Sequence, residues 1–188
     1  MTESASEHSR GADPVSDLEP DSPAPSLGGD MLTLDIDMRC ADWQGEVATL
    51  EAQARFVWAH LALPEAEISL VLAQGDFLAS LNAQYRDKQG PTNVLSFPAT
   101  PPPETHSGLL GDLVICAPLV IEEAQTQDKQ ATAHWAHLVM HGVLHLLGYD
   151  HQTPAEAEAM ELLEISALAR LGYANPYDIK TPSGSHSA

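Results

Sequence analysis

The chain is poor in cysteine and in positive charge, and it has no long apolar run. Two cysteines in 188 residues, Cys40 and Cys116, cannot supply a disulfide framework. Cys116 lies in the run Leu113-Val114-Ile115-Cys116 and is expected to pack as a small hydrophobe. No apolar run approaches the roughly 18 residues of a membrane span, and no charged-then-apolar N-terminus marks a secretory signal. A reducing cytoplasm without a membrane partner is therefore the expected setting. Eight basic residues stand against 27 acidic ones, a net charge of −19. Residues 1–30 hold seven acids and Arg10, −6 of that total, which leaves −13 for residues 31–188. Bulk electrostatics cannot hold a polyanion on such a chain, so any contact with nucleic acid has to be local.

What is present divides into three stretches. Residues 1–30 are rich in Ser, Pro, Gly, Asp and Glu and are expected to be disordered, as are residues 179–188. Between them, residues 31–178 are expected to form one domain. Leu32, Leu34, Ile36 and Met38 alternate with polar residues, the period of a half-buried strand. An apolar stripe through Trp43, Val47, Leu50, Ala54, Val57 and Leu61 predicts a helix over residues 43–62. Strands are predicted at 67–73, 94–97 and 110–116, with a proline-rich loop between the last two. Asp76 is placed to cap a helix running to about Arg86. Further helices are predicted from near Pro118, over about 129–147, and from the capping box Thr153-Pro154-Ala155-Glu156 to about Leu171-Gly172. The order β-α-β-α-β-β-α-α-α implies an α+β fold, a mixed sheet of about four strands packed with helices.

The most specific signal is His141-Gly142-Val143-Leu144-His145-Leu146-Leu147-Gly148-Tyr149-Asp150-His151. Residues 141 and 145 leave a helix on one face, one turn apart, the usual helical seat for a metal such as zinc. Gly148 lets the helix stop and the chain turn, so that His151 can come back as a third ligand. Three histidines leave one tetrahedral position open, as in a catalytic rather than a structural site. The spacing matches that of metzincin proteases, but their general base is a Glu directly after the first His. Here that position is Gly142, which can neither take nor give a proton.

Other candidates are weaker. Arg86 and Lys88 are two of the eight basic residues and sit where a helix gives way to a strand. An arginine near a metal can bind phosphate through its planar fork, yet at a helix end it is commonly a solvated charge or a dipole partner. His134 and His137 share the band of His141 and His145; they read as ordinary polar residues of a helix flank, with a role behind the ligands as the alternative. Asp150 can orient an imidazole or cap a turn.

With those residues in view, the eleven-residue histidine run resembles the signature of the YbeY family of bacterial endoribonucleases. Three other stretches agree in order across roughly residues 81–177. They are Leu81-Asn82 with Tyr85-Arg86 and Pro91 to Pro98; Leu110 to Cys116; and Leu171-Gly172-Tyr173 with Pro176-Tyr177. The acidic stretch 1–30 is not part of the family's pattern. The resemblance implies a single-strand-specific metallo-endoribonuclease acting in 16S rRNA 3′-end maturation and ribosome quality control. It implies that His141, His145 and His151 bind one zinc ion per chain and that Arg86 is the functional arginine. It also implies association with the small ribosomal subunit and with assembly factors such as the GTPase Era. Two other readings compete with it. One is a non-catalytic, zinc-stabilised ribosome-assembly factor, which suits the scarcity of positive charge. The other is a peptidase, against which Gly142 speaks.

Overall fold

The computed structural model describes residues 32–40, 47–61, 65–100 and 108–178. The expected disorder of 1–30 and 179–188, the proline-rich part of the loop and Trp43 all lie outside them. In chain order the elements are β1 (Leu32–Met38), α1 (Val47–His60), β2 (Ala66–Ala73), α2 (Gly75–Arg86), β3 (Val94–Pro98), β4 (Leu109–Cys116), α3 (Ala117–Thr126), α4 (Ala131–Leu146) and α5 (Pro154–Arg170). The sheet order is β1-β2-β4-β3. β1 and β4 each run parallel to β2, and β3 runs antiparallel to β4. The fold is α+β with a mixed four-stranded sheet, as the element order predicts.

Strand alternation sorts the side chains onto two faces. Ile68, Leu70 and Leu72 of β2, with Leu113 and Ile115 of β4, join the larger core formed with α1, α4 and α5. The intervening Val114 and Cys116 join Leu95 and Leu78 in a smaller cluster under α2. Consecutive strand residues point to opposite faces, so α2 lies across the sheet from α4. Burying Val139, Met140, Val143 and Leu144 of α4, each no more than 1 % exposed, stabilises the domain by about 1.5–3 kcal/mol per side chain. α4 is thus firmly seated in the core, and two of the three motif histidines stand on it.

Gly142 explains how α4 comes so close to the sheet. A Cβ there would lie 2.7 Å from Leu113 Cδ2 and 3.4 Å from Ser96 Oγ. Ser96 Oγ also donates to the Gly142 carbonyl at 3.3 Å. The residue after the first histidine thus faces the sheet, which accounts physically for a glycine where a protease has its base. One expectation needs correction: Asp76 is not the N-cap of α2. The cap position is Gln74, without a side-chain cap bond, while Asp76 Oδ1 accepts from Phe77 N at 2.8 Å within the first turn. The capping box of α5 forms as predicted, with Thr153 and Glu156 bonded reciprocally.

Candidate metal centre

α4 ends in a Schellman motif. Gly148 adopts φ +90, its N–H bonds the His145 carbonyl, and Tyr149 N–H bonds the Leu144 carbonyl, both at 3.0 Å. A residue with a Cβ is strained at that φ, so glycine is what lets the chain reverse here. The reversal returns His151 to the helix. Its ring centroid lies 5.5 Å from that of His141 and 5.0 Å from that of His145. One potential ligand atom from each of the three histidines falls within 4.8 Å of the others. His141 and His145 are half-buried and His151 is exposed, so the cluster opens to solvent.

The donor geometry suits a metal. His141 Nε2 and His145 Nε2 are 3.1 Å apart. Tetrahedral ligation at about 2.0–2.1 Å per bond sets two nitrogens roughly 3.3–3.4 Å apart. Each ring has its other nitrogen occupied. His145 Nδ1 lies 3.0 Å from the Tyr149 carbonyl oxygen, and His141 Nδ1 lies 2.8 Å from Glu164 Oε1. A carbonyl can only accept, so His145 carries its proton on Nδ1 and presents a lone pair at Nε2. Burial, and then the neighbouring His141 and His151, lower the His145 pKa, which favours the neutral ring that a metal requires.

Behind the cluster lies a carboxylate that the motif does not contain. Glu164 of α5 is fully buried. Its Oε2 lies 3.1 Å from His137 Nε2 and also accepts from the Tyr177 hydroxyl. Burial raises the Glu164 pKa, but the hydrogen bonds from His137, His141 and Tyr177 outweigh it and bring the group down to about 2. It is therefore an anion, an acceptor only, and His141 must donate to it through Nδ1–H. The reading of His134 and His137 as flank residues is thereby corrected. His137 bonds Glu164, and His134 is 5 % exposed with Nε2 2.7 Å from Glu123 Oε2. Asp150 takes the turn-capping role, accepting from His151 N at 2.8 Å and from the Gln152 side chain at 2.6 Å.

Glu164 left a trace in the sequence. Met160, Glu164, Ala167 and Leu168 are the buried residues of α5, spaced as one stripe, so a carboxylate sits on an otherwise apolar face. The Tyr149 carbonyl left none, since a backbone oxygen has no residue signature.

Arg86 is the last residue of α2 and is exposed. Its neighbour Tyr85 packs edge-on against Phe97 at 5.2 Å. Four of the six described basic side chains have partners. Arg39 bonds Asp37, Arg55 bonds Glu51, Lys129 bonds the Pro176 carbonyl and Arg170 contacts His60. Among the described residues the side chains of Arg86 and Lys88 make no hydrogen bond or ion pair. The structure thus brings the three histidines together, and forms no bond between them and Arg86.

Residues 37–172 match the family model described as endoribonuclease YbeY. A protein named endoribonuclease YbeY from Cellvibrio japonicus is 58% identical over 116 residues, 62% of this chain and 66% of that protein. One of the same name from Alteromonas mediterranea is 51% identical over 131 residues, covering 70% and 83%. Another from Methylococcus capsulatus is 52% identical over 132 residues, covering 69% and 88%.

Proposed function

This chain belongs to the endoribonuclease YbeY family, and from that premise we propose that it is a single-strand-specific, zinc-dependent endoribonuclease. Its place is in 16S rRNA 3′-end maturation and ribosome quality control, in the cytoplasm, with the small ribosomal subunit and assembly factors such as the GTPase Era as partners. No helix among the described residues is long and apolar enough to cross a membrane. The observation that carries the reading is the cluster of His141, His145 and His151, open to solvent on the His151 side. Each histidine offers one nitrogen to zinc. When bound, the metal supplies Lewis acidity and positive charge toward a phosphoryl oxygen.

The protein's own part is orientation and charge. The Tyr149 carbonyl and Glu164 fix the rings of His145 and His141. Arg86 steadies the charge that develops on the phosphate, through a planar fork that matches two phosphate oxygens. That it has no hydrogen-bond or ion-pair partner among the described residues supports this role, because donors already engaged would first have to break their bonds. Arg86 and Lys88 together offer the local positive charge that a chain of −19 otherwise lacks.

The competing reading is a non-catalytic assembly factor with a structural zinc. A structural zinc organises the chain around itself. Here α4 is fixed by its core packing and its Schellman cap, and two rings are oriented by protein groups. The test is cleavage of end-labelled single-stranded RNA by protein of known metal content. His141→Ala should lose both zinc and cleavage, whereas Arg86→Ala should keep zinc and lose cleavage by about 100-fold or more. Equal cleavage by parent and His141→Ala would assign the activity to a contaminant. A zinc-loaded, folded parent that cuts nothing would turn the reading to the assembly factor.

A further inference from the structure

We infer that Glu164, closed in by Tyr177, is the positioning residue of this metal centre, and that the C-terminal segment 173–178 is a clasp on it. The inference rests on the metal reading above and deepens it. Glu164 Oε1 faces His141 Nδ1, while Oε2 meets the His137 ring and the Tyr177 hydroxyl. A buried carboxylate is strongly disfavoured unless its lone pairs are satisfied. Three donors satisfy them here, and one of the three is a metal ligand. Because a carboxylate only accepts, it admits His141 in a single tautomer, the one with its proton on Nδ1 and its lone pair on Nε2. It also holds the ring plane, so that Nε2 stays 3.1 Å from that of His145.

Tyr177 reaches this carboxylate because α5 ends in a second Schellman motif. Gly172 N–H bonds the Ala169 carbonyl at 3.1 Å, and Tyr173 N–H bonds the Leu168 carbonyl at 2.9 Å. The chain then runs back toward α4. Lys129 Nζ fastens it by donating to the Pro176 carbonyl at 2.7 Å. Asn175 Oδ1 accepts from Tyr177 N at 3.0 Å. The Tyr177 ring stands edge-on to His137 at 5.4 Å. Two glycine-terminated helices thus serve one centre: the end of α4 delivers a ligand, and the end of α5 delivers the lock on the carboxylate behind another ligand.

The test is zinc affinity by chelator competition for the parent, Glu164→Gln and Tyr177→Phe, with ¹⁵N NMR of the His141 imidazole in the metal-free proteins. Loss of a partner behind a ligand weakens metal binding by about 10–100-fold. Glu164→Gln should lose zinc affinity in that range, and the fixed Nδ1–H signature of His141 should give way to a mixture of tautomers. Tyr177→Phe, altered at a partly exposed side chain that is itself no ligand, should move both readouts in the same direction by less. A purely structural Glu164 would leave the tautomer unmoved. Parent-like affinity and tautomer in Glu164→Gln would overturn the inference while leaving the metal reading intact. If Glu164→Gln fails to fold, Tyr177→Phe decides: a folded variant with parent-like values overturns it. A parent that takes up no zinc would remove the metal reading and this inference together.

Discussion

His134 shows how one residue can be polar, buried and structural beside the histidine cluster. Its Nε2 meets Glu123, and Asn93 Nδ2 meets the same carboxylate at 3.0 and 3.3 Å. Burial lowers the His134 pKa, and the bond to Glu123 offsets only part of that effect. The native state therefore prefers the neutral ring more strongly than the unfolded chain does. Its stabilising contribution is full above the unfolded value near 6.5 and is lost as pH falls below it toward the lower native value. The stability advantage of the parent over His134→Gln, from urea unfolding, should thus shrink between pH 7.5 and pH 5.5. Taking the difference cancels the titration of the three cluster histidines, which both proteins share. An advantage that grew on acidification would mean that the Glu123 ion pair, not burial, governs this site. From the sequence, His134 and His137 could not be told from a solvated flank. Their spacing was visible, but their partners lie on α3 and α5, which only packing brings to α4.

At the scale of the element, α4 reconciles two demands. It must lie close enough to β3 and β4 to be rigid, and it must turn His141 and His145 away from them. Gly142 meets the first demand. In Gly142→Ala the new methyl would press on Leu113, which is 1 % exposed and has little room to move. Overpacking of this kind costs about 1–3 kcal/mol, while replacing a mid-helix glycine returns up to about 1 kcal/mol of helix propensity. Overpacking should win, and Gly142→Ala should be destabilised by roughly 1–2 kcal/mol, read as a lower urea midpoint at unchanged slope. Gly142→Glu should fold still less well and gain no peptidase activity, because its side chain starts toward the sheet. A Gly142→Ala protein more stable than the parent would show that α4 can lift off the sheet at little cost.

For the whole molecule, the question is whether the metal builds the fold or uses it. The larger core under α1, α4 and α5 involves no cluster histidine, and both helix ends that serve the centre close through backbone hydrogen bonds. The metal-free protein should therefore keep its far-ultraviolet circular dichroism and melt cooperatively. Zinc should then raise Tm by mass action alone, on the order of 10 °C at a free concentration of 100–1,000 times Kd. Loss of secondary structure on chelation at 25 °C would instead favour a structural metal and the assembly-factor reading.

Much of this molecule is legible in its residue order, because the information is local. Periods of 2 and 3.6, the Thr153 capping box and Gly148 fixed the element order and nearly all boundaries. The offsets 141, 145 and 151 brought the three histidines together, since a helix turn and one glycine-stopped reversal need no other part of the chain. Asp76 misled because it falls two positions past the cap at Gln74, where its carboxylate bonds its neighbour's N–H within the first turn. Long-range packing decided the rest. That α2 and α4 take opposite faces of the sheet, that Gly142 is a close approach, and that Glu164 and Tyr177 stand behind His141 all depend on elements far apart in sequence. A buried charge is stable only where its donors converge, and convergence is a property of the folded chain.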